Sequence, residues 1–301
     1  MQGITLAGLP AVAMAYLSEE IEPKSLGMAM GLYISGNSIG GMAGRIISGI
    51  LTDHFGWHMA LIGVGVISFL SSLVFLFILP PSSNFKPQKL AIKGLVHSMF
   101  SQFKEPGLIY LFMIAFLLMG GFVSLYNYIG FQLITPPYSL SQTLVSFIFV
   151  VYLVGTFSST WMGMLADKYG KRKILQLSLI IFLIGACLTL HPNLWVKILG
   201  IAIFTYGFFA GHSIASGWVG IIATHDKAQA ASLYLFSYYA GSSIGGTASG
   251  TFYSNFGWSG VVTMITVLGI TSVVVSIRLG IITKANTKWA SGTGLSSKNL
   301  S

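Results

Sequence analysis

Charge is scarce in this 301-residue sequence: Asp, Glu, Lys and Arg together make up 8% of it, and only seven residues are acidic. An ordinary soluble domain carries about 25% charge, so this chain cannot clothe a water-facing surface of normal polarity. Cysteine is almost missing as well. The lone Cys187 lies inside an apolar run, which excludes a disulfide framework and a thiolate metal site. No Gly-rich loop ending in Lys-Ser/Thr, no His-Glu-x-x-His pair and no nucleophile elbow occurs. The sequence therefore reads as no enzyme, with no cofactor and no metal, and ATP-driven transport would need a nucleotide-binding domain it does not contain. The 16 Lys and Arg give a net charge of +9. They fall between apolar runs rather than on one face, which argues against a nucleic-acid partner and for a topological role.

Hydrophobic residues are 54% of the chain and the mean hydropathy is +0.79. Apolar stretches of 18 or more residues, each long enough to cross roughly 30 Å of hydrocarbon as a helix, recur along the sequence. The reading is an all-α polytopic membrane protein with nine spans: 2–18, 27–51, 58–80, 107–132, 142–166, 173–190, 194–223, 229–252 and 258–281. The longest connection, 81–106, carries Lys86, Lys89, Lys93 and Lys104 with Pro80, Pro81 and Pro87, so it reads as a linker between two parts. That divides the chain into 1–80, with three helices, the linker 81–106, a six-helix part 107–283, and a polar tail 284–301 expected to be disordered.

Charge then sets orientation. Connections 52–57, 133–141, 191–193 and 253–257 contain no Lys or Arg, whereas the alternate connections and the tail hold nearly all of them. The positive-inside rule places the basic connections and the C-terminus in the cytoplasm. Met1 is then outside, at the very start of an apolar run, with no charged flank to orient it.

An internal repeat bears on that oddity. Residues 31–57, GLYISGNSIGGMAGRIISGILTDHFGW, align without gaps at a shift of 201 with 232–258, SLYLFSYYAGSSIGGTASGTFYSNFGW. Tyr33 meets Tyr234, Gly40 meets Gly241, Gly44 meets Gly245, Gly49 meets Gly250, and Phe55-Gly56-Trp57 meets Phe256-Gly257-Trp258. Two related halves are implied, a known transporter design. The partner of the fourth span would begin roughly 94 residues before Met1, room for three further helices. The expectation is nine of twelve helices.

On the basic connection between the fifth and sixth spans, Gly163-Met-Leu-Ala-Asp167-Lys-Tyr-Gly170-Lys171-Arg172-Lys173 resembles the G-x-L-a-D-r-x-G-r-k signature of the major facilitator superfamily. YLSEEI (16–21), MGLYISGNSIGGM (30–42) and ASLYLFSYY (231–239) are similar to bacterial inner-membrane transporters of that superfamily. The resemblance implies a multi-pass protein of the inner membrane, acting as a monomer. It would move a small organic molecule by alternating access, with efflux driven by protons by analogy alone. It also implies that the 163–173 loop latches one conformation. Physically, Asp167 can accept from a neighbouring helix N-terminus or an Arg, and Lys171, Arg172 and Lys173 suit an acidic lipid surface. A non-transporting remnant of such a transporter is the competing reading.

The helix over 27–51 resembles a second pattern, G-x8-G-x3-G-P-x2-G-G of drug–proton antiporters, through Gly31, Gly40, Gly44 and Gly49, with Arg45 in place of Pro. Small residues four apart also pack helices closely in lipid; Gly241, Gly245 and Gly250 repeat the spacing. Arg45 itself, inside a span, needs a partner: an acid outside this sequence, an anionic substrate group, or the outer interface. His212, mid-span, is a candidate for proton exchange or a hydrogen bond across helices. Tyr126 and Asn127 are expected to line the same cavity, and Tyr234 and Tyr238 supply polar-tipped aromatic surface for an amphipathic organic solute.

Overall fold

A computed structural model describes residues 2–22, 24–79, 81–82 and 98–292, with side chains placed at all of these except 2–9, 11, 53–54, 142–143, 146 and 283–292. The helices are α1 (Gln2–Glu20), α2 (Leu26–Phe55), α3 (Trp57–Ile78), α4 (Leu108–Ile134), α5 (142–169), α6 (Lys171–Leu188), α7 (Leu194–Ile222), α8 (227–256) and α9 (258–292). No strand occurs among the described residues. By length and hydropathy alone, Trp57–Ile78, Leu108–Ile134, Ile148–Tyr169, Leu194–Ile222 and the Lys227–Ile282 stretch are able to cross a membrane.

Each helix stands where the apolar runs place it, and the ends follow from local chemistry. Asn193 caps α7, its side-chain oxygen accepting from the amides of Trp195 and Val196 at 2.9 and 3.3 Å. α5 is not one regular helix: Gln142–Phe147 passes through a 3₁₀ turn, Ile148–Val151, into Tyr152–Tyr169. Beyond the expected polar boundary at 284, α9 stays helical to Gly292, since Lys, Ala and Trp tolerate helix and no Pro or Gly intervenes before Gly292. Residues 293–301 and most of the expected linker, 83–97, lie outside the described residues; 98–102 form a short helical turn.

The repeat is visible in the backbone. Gly56 (φ 80°) turns α2 into α3, and Gly257 (φ 60°) turns α8 into α9 at the matching position. An L side chain is disfavoured at both angles.

The second group, α4–α9, has the larger core. Leu111, Ile114, Phe182, Phe204, Phe208, Val261 and Ile265 are buried in it. Close approach is built from glycine. A methyl on Gly245 of α8 would come 2.6 Å from Gly120 Cα of α4, so these two helices touch backbone to backbone. Ser124 secures the crossing, donating to the carbonyls of Gly120 (2.7 Å) and Gly245 (3.2 Å). At the far end of this group, buried Lys197 donates to the Thr189 carbonyl, to which Trp258 Nε1 also donates at 3.0 Å.

The first group, α1–α3, is thinner. Within the described residues α3 packs on α2, and its spanning window is 0% buried. Leu61, Phe69, Leu76 and Phe77 stand exposed along it, as suits a helix bathed in hydrocarbon. Trp57 is exposed where its repeat partner Trp258 is buried. The two groups meet chiefly where α2 crosses α5, with smaller contacts of α1 on α8 and α2 on α7.

Candidate functional site

The α2–α5 crossing is a seam of small and hydroxyl-bearing residues. A methyl on Gly31 would sit 2.7 Å from the Ser159 carbonyl, and one on Gly163 would sit 2.6 Å from the Gly27 carbonyl. Between these contacts, Ser35 donates to the Thr156 carbonyl (2.7 Å) and lies 2.8 Å from Ser159 Oγ and 2.9 Å from Thr160 Oγ1. Ser38 and Thr156 share a further hydroxyl–hydroxyl bond. Ser213 of α7 donates to the Ser159 carbonyl at 3.1 Å. These hydroxyls can exchange partners with water or with one another at small cost. The seam therefore holds tightly when shut yet leaves few stranded polar groups when open. Sequence reasoning passed over Ser35, Ser38, Thr156, Ser159 and Thr160. The spacing of Gly27, Gly31 and Ser35, four residues apart, was the available signal.

The 163–173 loop lies at one end of that seam. Gly163 touches Gly27 in the first turn of α2, and a methyl on Gly27 would fall 2.5 Å from both carboxylate oxygens of Asp167. The Asp167 carboxylate thus rests against the positive N-terminal end of α2, a helix-dipole contact between the two groups of helices. Lys171 donates to it at 2.8 Å, with both side chains largely buried. Gly170 (φ 95°) makes the turn between α5 and α6. Arg172 reaches the other way and donates to the Gly280 carbonyl of α9 at 3.3 Å. Lys173 is exposed. Four functional groups of the motif therefore divide three ways: Asp167 and Lys171 across the seam, Arg172 within the second group, Lys173 to the surface.

Above the seam lies a cluster of aromatic rings from α4, α5, α7 and α8. Phe122 stacks on Phe208 with centroids 3.8 Å apart, and Tyr126 meets Tyr152 edge-on at 5.1 Å and Phe149 at 5.5 Å. The Tyr126 hydroxyl bonds Thr205 Oγ1 at 2.7 Å. His212, buried, places Nδ1 2.8 Å from the Tyr234 hydroxyl, with its ring 4.6 Å from that of Tyr238. Tyr126, His212, Tyr234 and Tyr238 thus belong to one region. Asn127 does not share it: one residue on, it is turned by about 100°, is exposed, and faces Gly246 of α8. Helical geometry gives Tyr126 and Asn127 different neighbours.

Arg45 is exposed, its Cζ 4.3 Å from the centroid of Phe149, a cation–π contact. It borders a cavity of about 800 Å³ between α2, α3 and the start of α5. Gly40, Gly44 and Gly49 line the same cavity. The close packing expected of the glycine stripe is present at Gly31, Gly241, Gly245 and Gly250. At Gly40 and Gly44 nothing among the described residues stands within 4 Å of an added methyl. In the second half the matching glycines receive α4; here the same face opens on the cavity.

On the basic side a polar cluster ties the 98–107 segment to the α7–α8 connection. Ser98 donates to Asp226 (2.5 Å), Thr224 to Glu105 (3.0 Å), and Gln102 Nε2 to the His225 carbonyl (3.3 Å). His225 lies 3.6 Å from Glu105 and 3.4 Å from Asp226. Glu22 pairs with Lys24 at 2.5 Å, and Ser82 donates to Glu20 at 2.5 Å. No cluster of His, Cys, Asp or Glu among the described residues has the form of a metal site.

Comparison with known proteins agrees with this architecture. The family model described as Major Facilitator Superfamily matches residues 1–136 and 127–299. An uncharacterised MFS-type transporter of Bacillus subtilis (strain 168), YybF, is 55% identical over 266 residues, covering 88% of this chain and 66% of that protein. The inner membrane transport protein YnfM of Escherichia coli (strain K12) is 46% identical over 277 residues, covering 92% and 66%. The chain spans about two thirds of the length of these relatives. A crystal structure of the E. coli fucose:proton symporter FucP shares the fold at a TM-score of 0.51 and 12% identity, covering 93% of this chain and 92% of that one.

Proposed function

Since the chain belongs to the Major Facilitator Superfamily, we propose that it works as a secondary transporter of a small organic solute, with the α2–α5 seam as the closure that opens and shuts on the cytoplasmic side. One observation carries this reading. The two groups of helices meet through glycine contacts, exchangeable hydroxyl bonds and one carboxylate on a helix N-terminus, rather than through interlocked large side chains. Interdigitated bulky side chains resist separation, because parting them leaves cavities; a hydroxyl seam does not carry that cost. The aromatic region of Tyr126, His212, Tyr234 and Tyr238 lies behind the seam and has the mixed polarity that solute sites show.

The membrane is a bacterial inner membrane in this reading, with the basic connections and the C-terminus cytoplasmic, as the distribution of Lys and Arg dictates. Outward movement of solute and coupling to protons belong to the same proposal; within this chain His212 is the titratable group at membrane depth beside the aromatic region. The acting unit is taken as a monomer.

The test is a pair of cysteines, Ser35→Cys with Ser159→Cys, whose parent oxygens lie 2.8 Å apart. Mild oxidation of membranes is expected to cross-link them and to abolish solute flux reversibly, with activity returning on reduction. A cross-linked protein that transports at the parent rate would remove the seam from the mechanism. Native Cys187 is exposed on α6, away from the seam, and serves as the single-cysteine control.

A further inference from the structure

Arg45 is set about 15 Å along the helix from Phe55, the last residue of α2, using 1.5 Å per residue. That depth lies inside the hydrocarbon zone of a bilayer roughly 30 Å thick. A cation held there needs a compensating charge or a wet cavity. The whole sequence contains seven carboxylates, so every candidate partner in it can be checked. Glu19, Glu20 and Glu22 follow α1, Glu105 precedes α4, Asp167 closes α5, and Asp226 precedes α8, all on the basic side. Asp53 is on α2 itself but eight residues further on, about 12 Å along the axis, beyond the reach of an i,i+4 ion pair. No carboxylate of this chain stands at the depth of Arg45.

The internal repeat shows that the charge is not a packing requirement. The position matching Arg45 in the second half is Gly246, which meets Val123 and Asn127 of α4 at van der Waals distance. Where the second half puts a glycine under a neighbouring helix, the first half puts a guanidinium beside a cavity of about 800 Å³. That volume lies within the roughly 300–1,000 Å³ range of small-molecule sites. Phe149 lies under the guanidinium and steers it without neutralising it, and Phe149 in turn packs on Tyr126 and Tyr152. The walls therefore offer one fixed positive charge, the hydroxyls of Ser48 and Thr52, and apolar surface from Leu61 and Val64.

We infer that Arg45 is the anchor for an anionic amphipathic solute, an organic acid whose carboxylate pairs with the guanidinium and whose aromatic or aliphatic body lies against Phe149. This names the solute class for the transport reading above and rests on it only for the step of translocation; binding stands by itself. Arginine suits the task because its planar fork takes a carboxylate in two parallel bonds and stays charged at any cellular pH. A neutral or cationic solute of the same shape gains nothing from that fork and leaves the guanidinium unpaired.

The experiment is binding to the purified full chain in detergent, followed by thermal unfolding and intrinsic tryptophan fluorescence. The probes are phenylacetate, neutral phenylacetamide and cationic phenethylamine. Phenylacetate is expected to stabilise the protein, with the amide and the amine at least about tenfold weaker, the order expected for losing one charge-assisted contact. Arg45→Gln is expected to abolish the preference and Arg45→Lys to keep part of it. The comparison of the three probes on the unaltered chain decides the matter even where Arg45→Gln fails to fold. Equal binding of the three probes, or a preference for the amine, overturns the inference. Carboxylate-selective binding without flux in liposomes would uphold the solute class and remove transport; flux of aromatic amines with no carboxylate preference would do the reverse.

Discussion

Tyr234 and Tyr126 are alike in the sequence, aromatic residues with a polar tip inside a span, yet their removal is expected to differ. The Tyr234 hydroxyl is the partner of buried His212 Nδ1. Tyr234→Phe leaves an imidazole nitrogen buried without that partner, at an expected cost of about 1–3 kcal/mol. The Tyr126 hydroxyl bonds Thr205 Oγ1, which also donates to the Ile201 carbonyl within its own helix. Tyr126→Phe is therefore expected to cost about 1 kcal/mol or less. Melting of the two variants in the same detergent checks the order; a Tyr126 variant the less stable of the two would contradict the assignment. At this scale the sequence indicated the candidates and not their partners. Nothing in the string ties Tyr234 to His212 rather than to lipid headgroups, because that pairing depends on the rotation of α8 against α7.

At the scale of elements, glycine is the informative residue, and its meaning depends on which face it occupies. Gly163→Ala puts a methyl 2.6 Å from the Gly27 carbonyl. A backbone atom cannot move aside as a side chain can, so α2 and α5 must part, at an expected cost of about 1–3 kcal/mol. Gly40→Ala meets nothing within 4 Å among the described residues and is expected to change stability by less than about 0.5 kcal/mol. Denaturant titration of the two variants measures the difference; equal losses would mean that the Gly40 face is packed. The repeat made Gly40 and Gly241 look equivalent, and only one of them carries a close helix crossing. Sequence periodicity identified the stripe, while occupancy of the stripe is a tertiary property.

For the whole molecule, the relevant quantity is the balance between shut and open seams. Asp167 contributes to the shut form through the α2 N-terminus, a contact worth about 0.3–2 kcal/mol depending on burial. Asp167→Asn removes the charge, and with it the ion pair to Lys171, while leaving the shape of the side chain. The expected result is insertion at normal levels and slower flux. Combined with Ser35→Cys and Ser159→Cys, it is also expected to lower the yield of their cross-link on brief oxidation. A shift of about 1 kcal/mol corresponds to about a fivefold change in the ratio of the two forms. Unchanged cross-linking would assign Asp167 to the Lys171 pair alone and take it out of the latch. The loop motif was readable in the sequence because its glycines and charges are fixed by a sharp turn at Gly170. What it presses against was not readable, since Gly27 lies on a different helix, far away in the chain.

The sequence by itself determined the membrane class, the number and order of helices, the direction in which the basic loops point, and the existence of two related halves. These follow from hydropathy, charge scarcity and an ungapped repeat, all of which act along the chain or through the bilayer as solvent. It also determined that Arg45 has no acid at its own depth, because seven carboxylates can be located one by one. Only the tertiary structure decided that Ser35, Ser38, Thr156 and Ser159 form one seam, that Asn127 is turned away from Tyr126, and that the Gly40–Gly44 face borders a cavity. The physical reason is rotation. In lipid every helix satisfies its own backbone, so the helices form independently, and the face each shows its neighbour is settled by side-chain fit between elements distant in sequence.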